Sequence, residues 1–386
     1  MTAQRSRSAR KPNRVAVVTG TRAEYGILRS VLEAVEAHPR LELQLVVAGM
    51  HLLRKFGHTV DEIVADGWHV AARVPMQTGR DDPADQAAGL ARGVAGMARY
   101  FERGRTDVVV VLGDRIEAMA AALAATTTGR VLAHIHGGDV APGDFDESLR
   151  HAITKLAHVH FPATRESMQR ILRLGEGADS VHRVGAPGLD RLRVLIEQSG
   201  PRAGRSGSAL VIQHAYGRPP ATEQRVATAV LRATADVGLR RLVVYPNSDR
   251  GHQGVVRAIE RHARDHDATS VRVFRSLPRD EYLRQLLKVD VLIGNSSSGI
   301  IEAPFAGTAV VNVGDRQEGR QLAGPGVVHA AESRAAIRVA LRGALRKRPR
   351  RGGHSAYGAG NAGRQIARVL AQLRLSQKLL RKRITY

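Results

Sequence analysis

Residues 107–126, DVVVVLGDRIEAMAAALAAT, decide the fold. Four valines and a leucine in succession make an apolar, β-branched run of the kind buried in a parallel sheet. The run stops at Gly113, and an alanine-rich helical stretch, Ile116–Thr126, follows at once. Strand, short turn and helix in that order form half of a parallel crossover. Asp114 and Arg115 stand at the strand's carboxyl end, where open parallel sheets bind ligands. Asp114 is suited there to acid or base work in a cleft and equally to capping the next helix, and the two roles are compatible.

The alternation extends both ways. Before and after this unit, strands are expected at Arg14–Thr19, Leu41–Ala48, Arg130–Ile135, His158–Phe161 and Val181–Val184. Helices are expected at Glu24–Ala37, Ala84–Arg103, Glu147–Ala157 and Arg165–Leu174. Residues 199–208, SGPRAGRSGS, lack apolar periodicity and read as a linker. A second series follows, with strands at Ala209–Gln213, Arg241–Tyr245, Ser270–Phe274, Val289–Ile293 and Ala309–Val313. Its helices are expected near Thr222–Val237, Val255–His266, Asp280–Leu287 and Ile300–Phe305. The fold class is therefore α/β, two Rossmann-like domains facing a cleft: 14–198 and 209–349, preceded by a disordered basic leader, 1–13. Residues 350–386 form a basic segment and a last helix, in which Ile366, Val369, Leu370 and Leu373 recur at helical spacing. That apolar stripe must dock, and the first domain is the expected place.

Composition narrows the function. A hydrophobic fraction of 43% is that of a globular chain, and the absence of cysteine excludes disulfides and thiolate metal sites. No apolar run reaches the ~20 residues that span a bilayer, and no secretory signal opens the chain, so a cytoplasmic enzyme with no membrane contact is expected. The net charge of +23 is concentrated at the ends: residues 1–14 hold five basic and no acidic side chains, and residues 342–386 hold thirteen and none. Only +5 remains for the body between them, which argues against a nucleic-acid-binding surface on the folded domains.

Four motifs carry the chemistry. Residues 17–26, VVTGTRAEYG, turn a strand into a helix; Gly20 suits a tight turn, and Arg22 beside the new helix N-terminus suits an anion. Neither a G-x-G-x-x-G nor a G-x-x-x-x-G-K-[ST] pattern occurs, so nicotinamide and P-loop readings have no support. The densest segment, Leu132–His158, sets His134, His136, Asp139, Asp144, Asp146, Glu147, Arg150 and His151 within 18 residues around a glycine-rich loop. Proton carriers so grouped at a strand end read as an acid/base site, the alternative being Asp146 as a cap with Glu147 and Arg150 paired on a solvated face. The His134–His136 pair makes a weaker metal reading, and Asp81–Asp85 reads as a helix start at Pro83. In the second half His214, Asn247 and Asp249 end strands. The run GNSSSGIIE then places Ser296, Ser297 and Ser298 at a helix N-terminus, a phosphate cradle, with Glu302 one turn on for a ribose diol and Arg316 after the next strand.

With these residues in place, the chain resembles the UDP-N-acetylglucosamine 2-epimerase family, in its hydrolysing branch from sialic-acid-type biosynthesis. TGTRAEYG, GMHLLRKFGHTVDEI, GDRIEAM, HIHGGD, DESLRHAITKLAH, YPNSD, GNSSSGIIE and GDRQEGR carry the likeness from about Val15 to His329. GDR and HIHGGD stand where the non-hydrolysing branch reads GDT and HxEAGLR. The resemblance implies a glycosyltransferase-B-like fold, a nucleotide-sugar substrate, no metal or other cofactor, and a homo-oligomer. It implies UDP contacts at Arg22, Gly26, Arg115, His214, Asn247, Ser296, Ser297, Glu302 and Arg316. Asp114 and Asp146 match acid/base carboxylates, with Glu147 beside them. A third family carboxylate falls at His136, which leaves proton transfer to either His136 or Asp139. Asp139 is favoured, because a carboxylate preserves charge balance against Arg22, Arg115 and Arg316. The implied reaction expels UDP to a glycal and adds water, releasing N-acetylmannosamine. The same chemistry on a UDP-2,4-diacetamido sugar, a UDP-sugar glycosyltransferase, and an inactive polyanion-binding scaffold are the alternatives.

Deleting residues 1–12, which precede the first strand and carry no apolar pattern, should leave turnover within a few fold of the parent in a steady-state assay. A tenfold fall or more would make the leader part of the working enzyme.

Overall fold

The computed structural model describes residues 11–385 except 81–82, 141–144, 202–203, 248, 325, 348 and 354. Most of the expected leader, Asp81, Asp82 and Asp144 therefore lie outside the described residues.

The first half runs β1 (Asn13–Thr19), α1 (Arg22–Glu36), β2 (Leu41–Ala48), α2 (Val60–Ala65), β3 (Val70–Val74), α3 (Pro83–Arg103) and β4 (Val108–Leu112). It continues with α4 (Ile116–Thr127), β5 (Val131–Ile135), α5 (Asp146–Leu156), β6 (Val159–Phe161), α6 (Arg165–Arg173) and α7 (Gly188–Ser199). The second half runs β7 (Ser208–Ile212), α8 (Pro220–Asp236), β8 (Arg240–Val244), α9 (His252–Arg264), β9 (Val271–Phe274) and α10 (Arg279–Lys288). After these come β10 (Val291–Gly294), α11 (Ser298–Phe305), β11 (Ala309–Val313), β12 (Val327–Ala330), α12 (Arg334–Arg346), α13 (Ala362–Gln372) and α14 (Gln377–Leu380).

The strands form two sheets, ordered β3-β2-β1-β4-β5-β6 and β12-β11-β10-β7-β8-β9. Every ladder is parallel. Counted from its own first strand, each sheet has the order 3-2-1-4-5-6 of a doubly wound fold, with a crevice where the winding reverses: between β1 and β4, and between β7 and β10. Asp114–Arg115 and Gly20–Arg22 flank the first crevice; His214 and Asn295 flank the second.

Each half has one strand more at an edge than the apolar runs announce, β3 and β12. Both are partly exposed, so their sequences lack the uniform apolarity of the centre. The expected strand at Val181–Val184 is reduced to a single bridge, Val181 to His160, with the Val184 N–H bonded to the Pro162 carbonyl. The halves also exchange helices. Leu189, Leu192 and Leu195 of α7 are buried with Leu210, Leu283 and Leu286 of the second half. Near the end of the chain, α13 returns to the first sheet, burying Ile366 and Leu370 against Leu28, Val31 and Leu32 of α1. Its start is held by Asp190, whose carboxylate accepts from the Ala362 and Gly363 N–H groups at 2.9 and 2.7 Å. Among the described residues no helix is long and apolar enough to cross a membrane.

Leu370 is fully buried in that seam. Leu370→Ala should cost about 2–5 kcal/mol in urea unfolding, the usual range for a leucine-sized core cavity. A cost under about 0.5 kcal/mol would show that α13 is not part of the first core.

Candidate functional site

The end of β4 and the start of α5 meet through one buried guanidinium. Arg150, whose side chain is only 3% exposed, pairs with the Asp114 and Glu147 carboxylates and donates to the Asp139 carbonyl at 3.0 Å. Asp114 is thus oriented by an arginine and does not cap α4, whose first flanking residue is Arg115 with no side-chain cap. The pairing of Glu147 with Arg150 is a buried junction, where a solvated face is the alternative the sequence allows. Asp146 is the first residue of α5, after Phe145, and faces the charges of Arg115 and Arg316.

The turn HIHGGD is packed closely against α6. A Cβ at Gly138, whose φ is +73°, would lie 2.2 Å from the Ser167 carbonyl of α6, so only glycine fits there. His136 has φ 64°, a left-handed conformation that is strained for a non-glycine residue. The two histidines of the motif part ways. His134 is wholly buried: its Nε2–H donates to the Gly113 carbonyl at 2.7 Å and its Nδ1 faces Thr154 at 3.2 Å, while burial pushes its pKa down to about 3. It is a neutral structural group. His136 donates from Nδ1 to Asp139 Oδ2 at 2.8 Å, and Nε2 has no hydrogen-bond partner among the described residues.

Asp139 is bonded through both carboxylate oxygens. It is 6% exposed; its Oδ1 accepts from the Ser167 hydroxyl at 2.6 Å and its Oδ2 takes the His136 proton donor. Burial raises its pKa, but His136, Arg320 and Ser167 outweigh burial and hold it below the ordinary carboxylate value. Asp139 thus lies against Nδ1 of His136, with the opposite ring nitrogen, Nε2, left for other contacts.

At the start of α1 two of the backbone donors of the expected anion cradle have partners within the turn. The Gly20 N–H donates to the Glu24 carboxyl at 2.7 Å, and the Glu24 N–H to the Thr21 hydroxyl at 3.3 Å. Gly20 is not in a left-handed conformation; a Cβ on it would lie 2.5 Å from Cγ of the buried Glu117. Glu117 in turn lies 3.4 Å from Arg115 Nε. Arg22 pairs with Glu62 at 2.9 Å and reaches Ser276 in the second half. Gly26 lies inside α1, where a Cβ would meet the Arg279 side chain at 3.3 Å.

In the second half, Asn295 clamps His214 from both sides, accepting from its N–H at 2.7 Å and donating to its carbonyl at 3.0 Å. His214 Nδ1 accepts from the Asn247 N–H at 3.1 Å, and burial, reinforced by Arg316, pushes its pKa down to about 3. The neutral ring then carries its proton on Nε2, a donor for a ligand. Arg316 donates to the Asn295 carbonyl at 3.2 Å and lies 3.6 Å from Asp249. Ser297 flanks α11 without making a capping bond, and Ser296 Oγ accepts a long 3.4 Å bond from the Ser298 N–H. Glu302 is not open: one oxygen is paired with Arg279 and the other accepts from the Ser298 hydroxyl at 2.5 Å. Arg279, Glu117, Glu24 and Arg320 are buried or half-buried ionisable groups at this site that their local sequence does not single out.

Comparison with known proteins agrees with this frame. Residues 33–371 match the family described as UDP-N-acetylglucosamine 2-epimerase. The chain belongs to that family. It is 35% identical over 376 residues to the UDP-N,N'-diacetylbacillosamine 2-epimerase (hydrolyzing) of Legionella pneumophila, covering 96% of this chain and 98% of that one. It is 31% identical to a UDP-N-acetylglucosamine 2-epimerase of Neisseria meningitidis, covering 82% and 83%. The solved structure of a Neisseria meningitidis UDP-GlcNAc 2-epimerase bound to UDP-GlcNAc superposes with a TM-score of 0.75 at 16% identity, over 93% of this chain and all of that one, a likeness of fold. As a member of this epimerase family the chain is an enzyme of UDP-GlcNAc-like sugars.

The epimerase chain also carries a pH-dependent element in Glu24. Burial, opposed by the Gly20 hydrogen bond and aided by the Glu117 charge, pushes its pKa from 4.5 up to about 8. The native state therefore holds a proton that the unfolded chain releases. This contribution to stability is complete below about pH 4.5 and is lost progressively as pH rises to about 8. Glu24→Gln keeps the acceptor for Gly20 without the charge, so its stability relative to the parent should rise between those two pH values in chemical unfolding. A difference independent of pH would rule this out.

Proposed function

We propose that the chain is a hydrolysing 2-epimerase of UDP-2-acetamido sugars, which releases UDP and the mannose-configured sugar. The observation that carries this reading is the His136–Asp139 pair, its Nε2 without a hydrogen-bond partner among the described residues, beside the Arg150-held Asp114 at the carboxyl ends of β4 and β5. The Asn295–His214–Arg316 cluster of the other sheet lies across from it.

The hydrogen on carbon 2 is barely acidic, because no carbonyl adjoins it. Loosening the bond from carbon 1 to the diphosphate places positive character on carbon 1 and acidifies that hydrogen. Arg115, Arg316 and the His214 Nε2–H stabilise the charge that collects on the departing diphosphate, a preorganised electrostatic effect. His136 Nε2 takes the proton, the C–H electron pair becomes the glycal double bond, and the C–O pair leaves with UDP. Water then adds across the double bond: its oxygen goes to carbon 1, and a proton returns to carbon 2 from the opposite face, with Asp114 and Asp146 as the groups placed to direct it. Among 2-acetamido sugars, a 2,4-diacetamido substrate is the second reading, supported by near-complete coverage of the Legionella relative.

Proton NMR in deuterium oxide with each UDP-sugar tests both readings. Deuterium at carbon 2 of a released free sugar is expected, and the faster substrate identifies the carbon 4 substituent. Recovery of UDP-linked epimer without release would make the chain non-hydrolysing. His136→Gln should lose about 10²–10⁴-fold in kcat, as for removal of a general base. Asp139→Asn should lose less, since an amide oxygen can still accept from Nδ1–H; the opposite order returns the role to Asp139.

A further inference from the structure

The loop after β11 carries three polar side chains that reach inward from the second half. Arg316 and Gln317 both donate to the Asn295 carbonyl, at 3.2 and 2.9 Å. Arg320, one short turn later, leaves the second half altogether. Its side chain is 12% exposed, and Nη1 lies 3.7 Å from Asp139 Oδ2, the oxygen that also receives the His136 Nδ1–H. Its Nε is buried and has no hydrogen-bond partner among the described residues. The flanking backbone is moored to the first half: the Gly319 carbonyl accepts from Arg170 at 3.2 Å, and the Gln321 side chain accepts from the Glu166 N–H at 3.4 Å.

We infer that Arg320 is a positioning residue for the His136–Asp139 pair, supplied by the half of the molecule that holds Arg316. The inference rests on the proposed role of His136 and adds a residue to it. Other charged and titratable groups around the pair are already committed. Arg150 donates to the Asp139 carbonyl, Arg170 to the Gly138 carbonyl, and His134 to the Gly113 carbonyl, while the Tyr357 hydroxyl donates to the Gln321 carbonyl. Arg320 is the guanidinium that addresses the shared carboxylate oxygen itself. After the contact with His136 itself, its charge helps keep Asp139 ionised in a buried place, and an ionised Asp139 keeps an imidazole proton on Nδ1. Arg316 and Arg320 share a loop four residues apart, so a group proposed to hold the diphosphate and the group that sets the proton carrier lie on one segment.

The test uses full-length Arg320→Ala, Arg320→Lys and the parent, with three readouts. The kcat of Arg320→Ala should fall roughly tenfold or more, short of the loss of the proton carrier itself. Added guanidinium should restore part of it, and Arg320→Lys should lie between. UDP affinity by calorimetry should stay within about threefold, since Arg316 is untouched. The Asp139 carboxyl, followed by carbon-13 NMR and assigned with Asp139→Asn, should titrate at higher pH in Arg320→Ala. Unchanged kcat with an unchanged Asp139 titration overturns the inference, and so does a loss of UDP affinity equal to the loss of kcat without guanidinium rescue. If the parent turns over no UDP-sugar, the functional reading fails on its own, and the Asp139 titration still decides the role of Arg320.

Discussion

One buried cation organises the first half of the site. Taking a guanidinium out of water costs several kcal/mol unless partners surround it, and Arg150 draws its partners from three separate segments: Asp114 after β4, the Asp139 carbonyl in the turn after β5, and Glu147 in its own helix. Satisfying that one group fixes the distance between two strand ends and the pitch of α5 against them. The carboxylate at Asp114 and the imidazole at His136 then have defined positions relative to each other before any substrate arrives, the condition under which electrostatic groups act without reorganising.

The second half is tied to the first by arginines that cross between them. Arg22 reaches Ser276, Arg279 donates to the Gly188 carbonyl at 3.1 Å, Arg191 bonds Asp280 at 3.0 Å, and Arg320 approaches Asp139. Long side chains with planar forks suit contacts between bodies that shift slightly, because they keep hydrogen bonds over a range of separations. Glu302 is held by Arg279 at this seam, so a ribose that claimed its carboxylate would have to compete with a contact that also joins the halves.

How much of this was legible in the sequence follows from where each residue gets its surroundings. Central strands such as Val108–Leu112 are buried on both faces, and uniform apolar runs announce them. The edge strands β3 and β12 and the helices α7 and α12 carry mixed faces and passed without notice. Asp114, His136, Asp146, His214 and Arg316 stand at strand ends or helix starts, so chain order alone placed them near a crevice. What chain order could not convey was which neighbour arrives from elsewhere. Gly20 looks like a turn residue, yet its need is room for Glu117; the His136–Gly138 loop looks flexible, yet α6 packs on it; Glu302 looks like a free acceptor, yet Arg279 has reached it first. Arg320 lies in the motif GDRQEGR, but its partner is 181 positions earlier in the chain.

The left-handed backbone at His136 sets local backbone relaxation against a buried hydrogen bond. A non-glycine residue in that conformation costs on the order of 1–3 kcal/mol, which glycine at the same position recovers. Glycine would also remove the Nδ1–H that Asp139 Oδ2 accepts and leave a buried carboxylate oxygen short of its donor, a loss of the same order, about 1–3 kcal/mol. Stabilising changes are therefore better drawn from the edges of the sheets and the exposed helices than from this turn.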